Sequence, residues 1–246
     1  MKRSLIIDMG NSSTKLAVYS DGVLTHRQRT GKVTRELLAS IIEAHGIDEG
    51  ILSSVARNDY SIDDYLQQHL QRYMRLSHST PLPIGLHYAT PHTLGCDRIA
   101  TAVAAWELNP NAASLVVDAG TAATIDVVDA QGNFAGGNIV AGVTTRLKAL
   151  NHYTNALPLV ETEGDTPQWG YNTVTALRSG AILGLVAEIE ASASRVKAKL
   201  GCEQVTIFLT GGDGPLLAKH MQAEARLEND LLTNGLYRIL RYNEGL

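Results

Sequence analysis

The sequence predicts an α/β protein made of two similar halves. Residues 4–24 and 114–134 carry related sequences, so one structural unit occurs twice along the chain. After each copy, stretches with the helical spacing of apolar residues alternate with short β-branched runs, a pattern typical of mixed α/β domains. The chain of 246 residues is also longer than one typical domain of roughly 100–150 residues, which favours two domains.

Both copies predict a β-hairpin with a carboxylate and a glycine at its tip. The first copy reads SLIIDMGNSSTKLAVYSDGVL and the second SLVVDAGTAATIDVVDAQGNF, and they share Ser, Leu, Asp, Gly, Thr, Val and Gly in the same order. In each copy an apolar β-branched run leads to Asp-x-Gly and a turn of small residues, and a second apolar run ends at glycine. Two strands joined by a turn account for this pattern.

Between and after the hairpins, apolar spacing predicts helices over Thr34–His45, Ile62–Met74, Arg98–Leu108, Thr173–Leu200 and Pro215–Ala223, and strands over Ile51–Val55 and Val205–Leu209. Asn109-Pro110-Asn111 predicts a break, because proline ends the helix before it. We therefore expect an N-terminal domain of residues 1–110 and a C-terminal domain of residues 111–246. Residues 161–172 have no clear period and are predicted to form a loop.

Composition argues against several classes of protein. A formal net charge of −4 gives no basis for a broad phosphate-backbone surface, so we expect no nucleic-acid partner. No apolar run approaches the roughly 20 residues needed to span a bilayer, and the apolar run before Asp8 is too short for a signal-peptide core. Cys96 and Cys202 form no CxxC pair, and the eight histidines lack HxxxH or HExxH spacing. We expect a cytoplasmic protein that has no membrane segment.

The first hairpin tip carries groups suited to a polyphosphate. Gly10 lets the backbone approach a ligand closely, Lys15 supplies positive charge and Asp8 can hold Mg²⁺. Hydroxyl and N–H donors come from Ser12, Ser13 and Thr14. A second such tip lies at Asp118–Thr124. A single Asp-x-Gly is an ordinary turn, whereas two copies at equivalent positions of a repeat favour a binding role.

Two further glycine-rich turns follow the second hairpin. Thr210-Gly211-Gly212-Asp213-Gly214-Pro215 comes after a predicted strand and opens a helix, and exposed backbone donors at such a place can accept a nucleotide. Gly136–Gly142 could close over phosphates by the same logic. Either turn could equally be a plain connection. No GxGxxG occurs, and Gly31-Lys32 is followed by Val33, so Rossmann and P-loop sites are not indicated.

The segment Gly95-Cys96-Asp97-Arg98 precedes a predicted helix and admits two interpretations. Asp97 could be a helix N-cap, which is worth about 1 kcal/mol, or the proton acceptor of an active site. Arg98 could be a solvated helix residue or a ligand-binding group. The residues alone leave both alternatives open.

Taken together, DMGNSSTK at the start, TLGCDR at residues 93–98, DAGTA at 118–122, GGNIVAG and the late TGGD resemble the motif series of type III pantothenate kinases, in order and over nearly the whole chain. The resemblance implies the actin and hexokinase superfamily, with two ribonuclease H-like domains and a cleft between them. It also implies ATP-dependent phosphorylation of the 4′-hydroxyl of pantothenate, the first step toward coenzyme A. A homodimer that uses Mg²⁺ and a monovalent cation, K⁺ or NH₄⁺, is implied as well.

The resemblance also assigns roles to individual residues. Asp97 would accept the proton of the attacking hydroxyl, Asp8 would hold Mg²⁺ and Asp118 would lie by the monovalent cation. Thr173 would reach pantothenate from the partner subunit. ATP would be bound by Asp8, Met9, Gly10, Asn11, Ser12, Ser13, Thr14, Lys15, Thr121, Gly211 and Gly212, and pantothenate by Tyr88, Gly95, Cys96, Asp97 and Arg98. Two positions depart from the family pattern, since Ser12 replaces the commoner Thr and Ala141 stands where proline is usual.

Two other functions remain compatible with the same motifs. One is a kinase for another small substrate with a hydroxyl group. The other is a non-catalytic member, either a regulatory accessory protein or an actin-like assembly protein. Retention of Asp8, Lys15, Asp97 and Asp118 argues against the second, because a protein that only binds has no need of the base.

Overall fold

The computed structural model describes residues 2–10, 13–54 and 60–245. Within it the chain forms two compact units. The first unit runs to residue 104 and also takes in the chain from residue 230 onward, and the second unit comprises residues 105–229. Each unit has its own sheet and its own buried apolar residues.

Strands and helices alternate through most of the chain. The strands are β1 (Arg3–Met9), β2 (Thr14–Ser20), β3 (Val23–Thr30), β4 (Glu49–Ser54), β5 (Arg72–Arg75), β6 (Gly85–Leu86), β7 (Ser114–Ala119), β8 (Ala122–Val128), β9 (Asn133–Ala141), β10 (Thr206–Thr210) and β11 (Ala225–Leu227). The helices are α1 (Arg35–His45), α2 (Tyr60–His69), α3 (Cys96–Leu108), α4 (Val143–Tyr153), α5 (Thr173–Leu200), α6 (Gly214–Ala218) and α7 (Leu231–Tyr242), with a 3₁₀ turn at Pro91–Thr93.

The sheet of the first unit has the strand order β3-β2-β1-β4-β5. Strands β1, β2 and β3 are antiparallel, whereas β4 and β5 run parallel to β1. One face of this sheet packs with α1 and α2 through a cluster that includes Leu5, Ile7, Leu38 and Leu66. Because side chains alternate along a strand, Ile6 lies on the opposite face, where α7 contacts β1, β2 and β4.

Within residues 105–229, the second unit repeats this plan, and its own strands have the order β11-β10-β7-β8-β9. The hairpin β7–β8 continues antiparallel into β9, and β10 and β11 run parallel to β7. Helix α5 covers one face of the sheet and buries Ile182, Leu185 and Ile189 against the odd-numbered residues of β7, such as Leu115 and Val117. The prediction of an α/β protein with duplicated halves is therefore confirmed.

Capping residues and hairpin turns place several helix and strand boundaries where the sequence predicts them. Helix α5 spans Thr173–Leu200, as predicted, since Asn172 caps its start and Gly201 adopts a left-handed φ of 64° at its end. Thr34 caps α1 in the same way, with its hydroxyl accepting the N–H of Leu37 at 3.3 Å. Both hairpins form as predicted, with Asp8 opposite Lys15 and Asp118 opposite Thr124.

Other predictions are corrected. The helix predicted over Ile62–Met74 ends at His69, because residues 72–75 pair with β4 as strand β5. The helix predicted over Pro215–Ala223 ends at Ala218. Helices α4 and α7 were not predicted. The predicted division at residue 110 also differs from the structure, because α7 buries Leu232, Leu236 and Ile239 and groups with the first unit.

Candidate active site

The tip of the first hairpin places a buried carboxylate beside positive charge. Asp8 is 5% exposed near the end of β1, and it lies opposite Lys15 of β2 and in register with Ser53 of β4. The N–H of Gly10 donates to the carbonyl oxygen of Ser13 at 3.1 Å and closes the turn, and Thr14 is buried directly after it. Of the residues predicted to bind ATP here, Asn11 and Ser12 lie outside the described residues.

Arg29 adds a second cation to this tip that the sequence analysis missed. It lies opposite Lys15 in the β2–β3 ladder, and its Nε donates to the Ser13 hydroxyl at 2.7 Å. The signal for it was the strand pairing: once β3 is known to continue the hairpin, the register brings residue 29 to the same end as residue 15. The turn therefore offers two cationic side chains around its backbone.

Asp97 lies inside the first turn of α3 and does not cap it. The helix begins at Cys96, and the carbonyl oxygen of Gly95 accepts the first helical bond, from Ile99 N–H at 3.1 Å. Oδ1 of Asp97 accepts the N–H of Arg98 at 2.8 Å. A Cβ at residue 95 would lie 2.3 Å from that oxygen, so only glycine leaves room for the carboxylate. The N-cap interpretation of Asp97 is wrong.

Asp8 and Asp97 lie near the same thiol. Burial raises the pKa of the Cys96 thiol, and the carboxylates of Asp97 and Asp8 raise it further, while the guanidinium of Arg75 opposes them. Both carboxylates therefore influence one thiol electrostatically. The first unit thus brings the end of the first hairpin together with the Gly95–Arg98 segment, which lie far apart in the sequence.

Arg98 is a buried residue. It is 5% exposed, and its guanidinium carbon lies 5.8 Å from the centroid of the Tyr88 ring. A cation over an aromatic face gains electrostatic stabilisation, and a charge this deeply buried requires such partners. The alternative of a solvated helix residue is wrong. The structure instead groups Arg98 and Tyr88, two of the residues predicted to bind pantothenate.

In the second unit, three glycine-containing turns meet at the tip of the second hairpin. The carbonyl oxygen of Thr121 accepts the Gly142 N–H at 3.1 Å and the Thr145 hydroxyl at 2.7 Å. A Cβ at residue 142 would lie 1.9 Å from the carbonyl oxygen of Gly120, and one at residue 211 would lie 2.5 Å from Oδ1 of Asp118. Glycines therefore let these turns pack directly against the hairpin backbone.

Asp213 joins the turn after β10 to the start of α4. Its N–H donates to the carbonyl oxygen of Ala119 at 3.0 Å. Its carboxylate accepts the N–H of Val143, the first residue of α4, and this bond partly offsets the effect of burial, which raises the pKa of Asp213. Asp213 thus connects the Gly211–Gly212 turn both to the second hairpin and to the start of α4. Sequence reasoning did not assign it a role.

The last residue of β10, Thr210, is fully buried. Its hydroxyl oxygen has no hydrogen-bond partner among the described residues. It lies in register with Asp118 of the neighbouring parallel strand. Among the described residues, no set of three or more His, Cys, Asp or Glu side chains is placed to hold a metal.

Thr173 is the exposed first residue of α5 and borders an apolar groove of the second unit. The groove has a volume of about 650 Å³ and is lined by residues that include Leu150, Leu157, Tyr171 and Leu177. Tyr153 and Trp169 are 83% and 85% exposed. Across the described chain, no helix is long and apolar enough to cross a membrane.

Comparisons with known proteins point to one family. A family model described as type III pantothenate kinase matches residues 4–195. A type III pantothenate kinase from Phocaeicola vulgatus is 38% identical over 243 residues, which cover 99% of this chain and 100% of that protein.

Among solved structures, a Campylobacter jejuni protein described as a conserved Baf family transcriptional activator has a TM-score of 0.64 at 22% identity, covering 98% of this chain and 100% of that one. Glucokinase from an Antarctic psychrotroph has a TM-score of 0.55 at 9% identity, covering 99% and 100%. At such identities these two structures show the fold alone, which is the predicted fold of the actin and hexokinase superfamily. With the family match over most of its length, the chain belongs to the type III pantothenate kinase family.

Proposed function

We propose that the protein transfers the γ-phosphoryl group of ATP to the 4′-hydroxyl of pantothenate, the first step toward coenzyme A. The observation that carries this proposal is the match of residues 4–195 to the type III family, in a chain where the charges of Asp8 and Asp97 both raise the pKa of the Cys96 thiol. One carboxylate belongs to the phosphate end of the reaction and the other to the acceptor end.

The first hairpin tip would bind the ATP phosphates. Lys15 and Arg29 supply positive charge, and the backbone around Gly10 and the hydroxyl of Thr14 supply donors. Asp8 is suited to holding Mg²⁺, which when bound neutralises phosphate charge. The roles of Met9, Asn11, Ser12 and Ser13 in this site follow from the family resemblance. In the second unit, Thr121, Gly211 and Gly212 would contact the nucleotide. Thr121 and Gly212 are exposed, and a Cβ at residue 212 would meet no atom within 4 Å, which leaves room for a ligand to approach.

Asp97 would act as the proton acceptor. Phosphoryl transfer passes through a loose transition state, so the acceptor hydroxyl needs alignment more than early ionisation. The carboxylate is fixed by its bond to the Arg98 N–H and by its place in the first turn of α3, where the helix dipole favours negative charge. It orients the hydroxyl and takes its proton late in the transfer. Such positioned acids and bases typically contribute about 10²- to 10⁴-fold in rate.

Arg98 would recognise the carboxylate of pantothenate. Its planar guanidinium can donate two parallel hydrogen bonds to a carboxylate, an arrangement that lysine cannot reproduce. The ring of Tyr88 holds the guanidinium in place. Gly95 and Cys96 would line the same pocket through their position beside Asp97.

A homodimer is proposed on the basis of the exposed apolar surface near the start of α5. The rings of Tyr153, Trp169 and Tyr171 are 83%, 85% and 71% exposed, an unusual amount of aromatic surface for a part of a protein that faces water only. Burial of such rings is typical of subunit interfaces. Thr173 lies at the same place, so a partner subunit seated there would bring its own Thr173 toward the interface.

Asp118 is proposed to lie by a monovalent cation, K⁺ or NH₄⁺, and the protein is proposed to act in the cytoplasm.

A panel of acceptors tests the function: ATP consumption is measured with pantothenate, with small sugars, with acetate and without an acceptor. We expect consumption that depends on pantothenate. Equal consumption with another acceptor would favour a different small-molecule kinase, and none with any acceptor would favour the accessory role.

A further inference from the structure

The hydroxyl of Thr210 is a buried polar group that lacks a hydrogen-bond partner among the described residues. Thr210 is 0% exposed at the end of β10, and its Oγ1 accepts and donates no hydrogen bond within the described residues. A buried hydroxyl that makes no bond lowers stability, so such groups persist where they serve a ligand. Valine has almost the same shape and would fill the position without this cost.

Strand register places this hydroxyl beside Asp118. Strands β7 and β10 are parallel neighbours, with Thr210 opposite Asp118. The preceding residues of the two strands, Val117 and Leu209, both belong to the apolar cluster under α5. Because side chains alternate along a strand, Thr210 and Asp118 both project from the other face of the sheet.

The carboxylate of Asp118 also lies against the backbone that follows Thr210. An ideal Cβ on Gly211 would be 2.5 Å from Oδ1 of Asp118, so that oxygen sits directly over residue 211. A carboxylate oxygen and a hydroxyl oxygen therefore occupy one small region, yet the hydroxyl does not donate to the carboxylate. Two oxygen atoms that face one region without a hydrogen bond between them can both bind a third group, such as an ion.

The charge and the type of these groups select the ligand. A negative carboxylate disfavours a phosphate oxygen at the same point and favours a cation. Carboxylate, hydroxyl and carbonyl oxygens are the ligands of hard cations, and K⁺ in particular accepts shells composed mostly of neutral oxygens. We infer that Thr210 Oγ1 is a second protein ligand of the monovalent cation proposed at Asp118, an inference that rests on the proposed function of that residue.

Two substitutions separate the hydroxyl from the shape of the side chain. Thr210→Val removes the hydroxyl and keeps the branching, and Thr210→Ser keeps the hydroxyl. Thr206→Val is the matched control, because residue 206 lies on the same face at the opposite end of β10. Binding is measured directly with Tl⁺, a K⁺ substitute visible by ²⁰⁵Tl NMR, and by melting temperature in KCl against choline chloride at equal ionic strength.

We expect Thr210→Val to weaken Tl⁺ binding by about tenfold or more and to lose the stabilisation by KCl, while Thr210→Ser and Thr206→Val keep both. In choline chloride Thr210→Val should melt no lower than the parent protein, because it loses a buried hydroxyl that has no partner. The inference is overturned if Thr210→Val binds Tl⁺ within threefold of the parent, or if the parent binds none. It is also overturned if Thr210→Val loses affinity for ATP in choline chloride, since the hydroxyl would then serve the nucleotide.

Failure of the proposed function gives a different result. If pantothenate phosphorylation is absent in the parent protein while Tl⁺ binding still depends on the Thr210 hydroxyl, the substrate assignment fails and the cation ligand stands.

Discussion

Gly95 and Asp97 form a steric pair, because a Cβ at residue 95 would lie 2.3 Å from Oδ1 of Asp97. The glycine thus permits the orientation in which the carboxylate accepts the Arg98 N–H. We predict that Gly95→Ala displaces this carboxylate and lowers kcat by about tenfold or more, because misplacement of a catalytic group by about 1 Å can cost that much. The measurement is steady-state kinetics with pantothenate, and the affinity for ATP should change little. An unchanged kcat would show that the orientation of Asp97 is not needed.

Asp97→Asn tests the chemical role of the same residue. Asparagine keeps the shape and can accept the Arg98 N–H through its Oδ1, but it cannot take a proton at neutral pH. We expect kcat to fall by roughly 10² or more with a modest change in KM and no change in melting temperature. A fall in kcat of less than about threefold, with an unchanged melting temperature, would show that another carboxylate is the base.

Arg98→Lys tests recognition of the pantothenate carboxylate. The substitution keeps a positive charge and removes the planar fork, so we expect kcat/KM for pantothenate to fall by about tenfold or more. The matched substrate is pantothenol, in which an alcohol replaces the carboxylate, and its low kcat/KM should be nearly the same in both proteins. If both substrates lose equally, Arg98 has a structural role in α3 and does not bind the carboxylate.

Asp213→Asn should stabilise the protein near neutral pH. Burial raises the pKa of Asp213 above its ordinary value of 3.8, so the folded protein holds this proton more tightly than the unfolded chain does. The free energy of unfolding therefore falls as the pH rises from 3.8 through the raised value, and it stays lower above it. Asparagine is neutral at every pH and can still accept the Val143 N–H. We expect a higher melting temperature for the variant at pH 7 and a smaller difference near pH 4. A difference that does not shrink on acidification would contradict this prediction.

Complementation between subunits tests the role of Thr173. We expect Thr173→Gln, a longer side chain at an exposed helix start, to block pantothenate binding in the partner's site. Asp97→Asn inactivates the site of its own subunit. A mixed dimer of the two variants would contain one intact site, so an equal mixture that exchanges subunits should recover about a quarter of the parental activity. No recovery, with mixed dimers present by native mass spectrometry, would place Thr173 in its own subunit's site.

The sequence predicts well those features that depend on residues close together in the chain. The hairpins follow from Asp8-x-Gly10 and Asp118-x-Gly120, and α5 follows from the helical spacing of its apolar residues. Strand β5 was predicted as the end of a helix, because only pairing with β4 decides its conformation. Apolar spacing can fit both structures, and tertiary contacts then decide between them.

The motifs of the candidate site could be predicted from the sequence, whereas the residues that position those motifs could not. Arg29 and Asp213 reach the hairpin tips through strand register and a helix start that the sequence alone does not supply. Asp97 lies inside α3, two residues after the capping position at Gly95, and this placement depends on where the helix begins. Thr210 has no sequence signal beyond its place in a glycine-rich turn. Only the structure shows that its buried hydroxyl finds no hydrogen-bond partner among the described residues.

Because α7 packs on β1, β2 and β4, the first unit cannot complete its fold during the early part of synthesis. The ribosome must first produce the whole second unit before residues 231–242 emerge. Until then, the sheet face that carries Ile6 and Tyr19 has not received Leu232, Leu236 or the stacked ring of Tyr237. A nascent chain stalled before α7 would expose this apolar face, and that intermediate is the one on which chaperones and proteases would act.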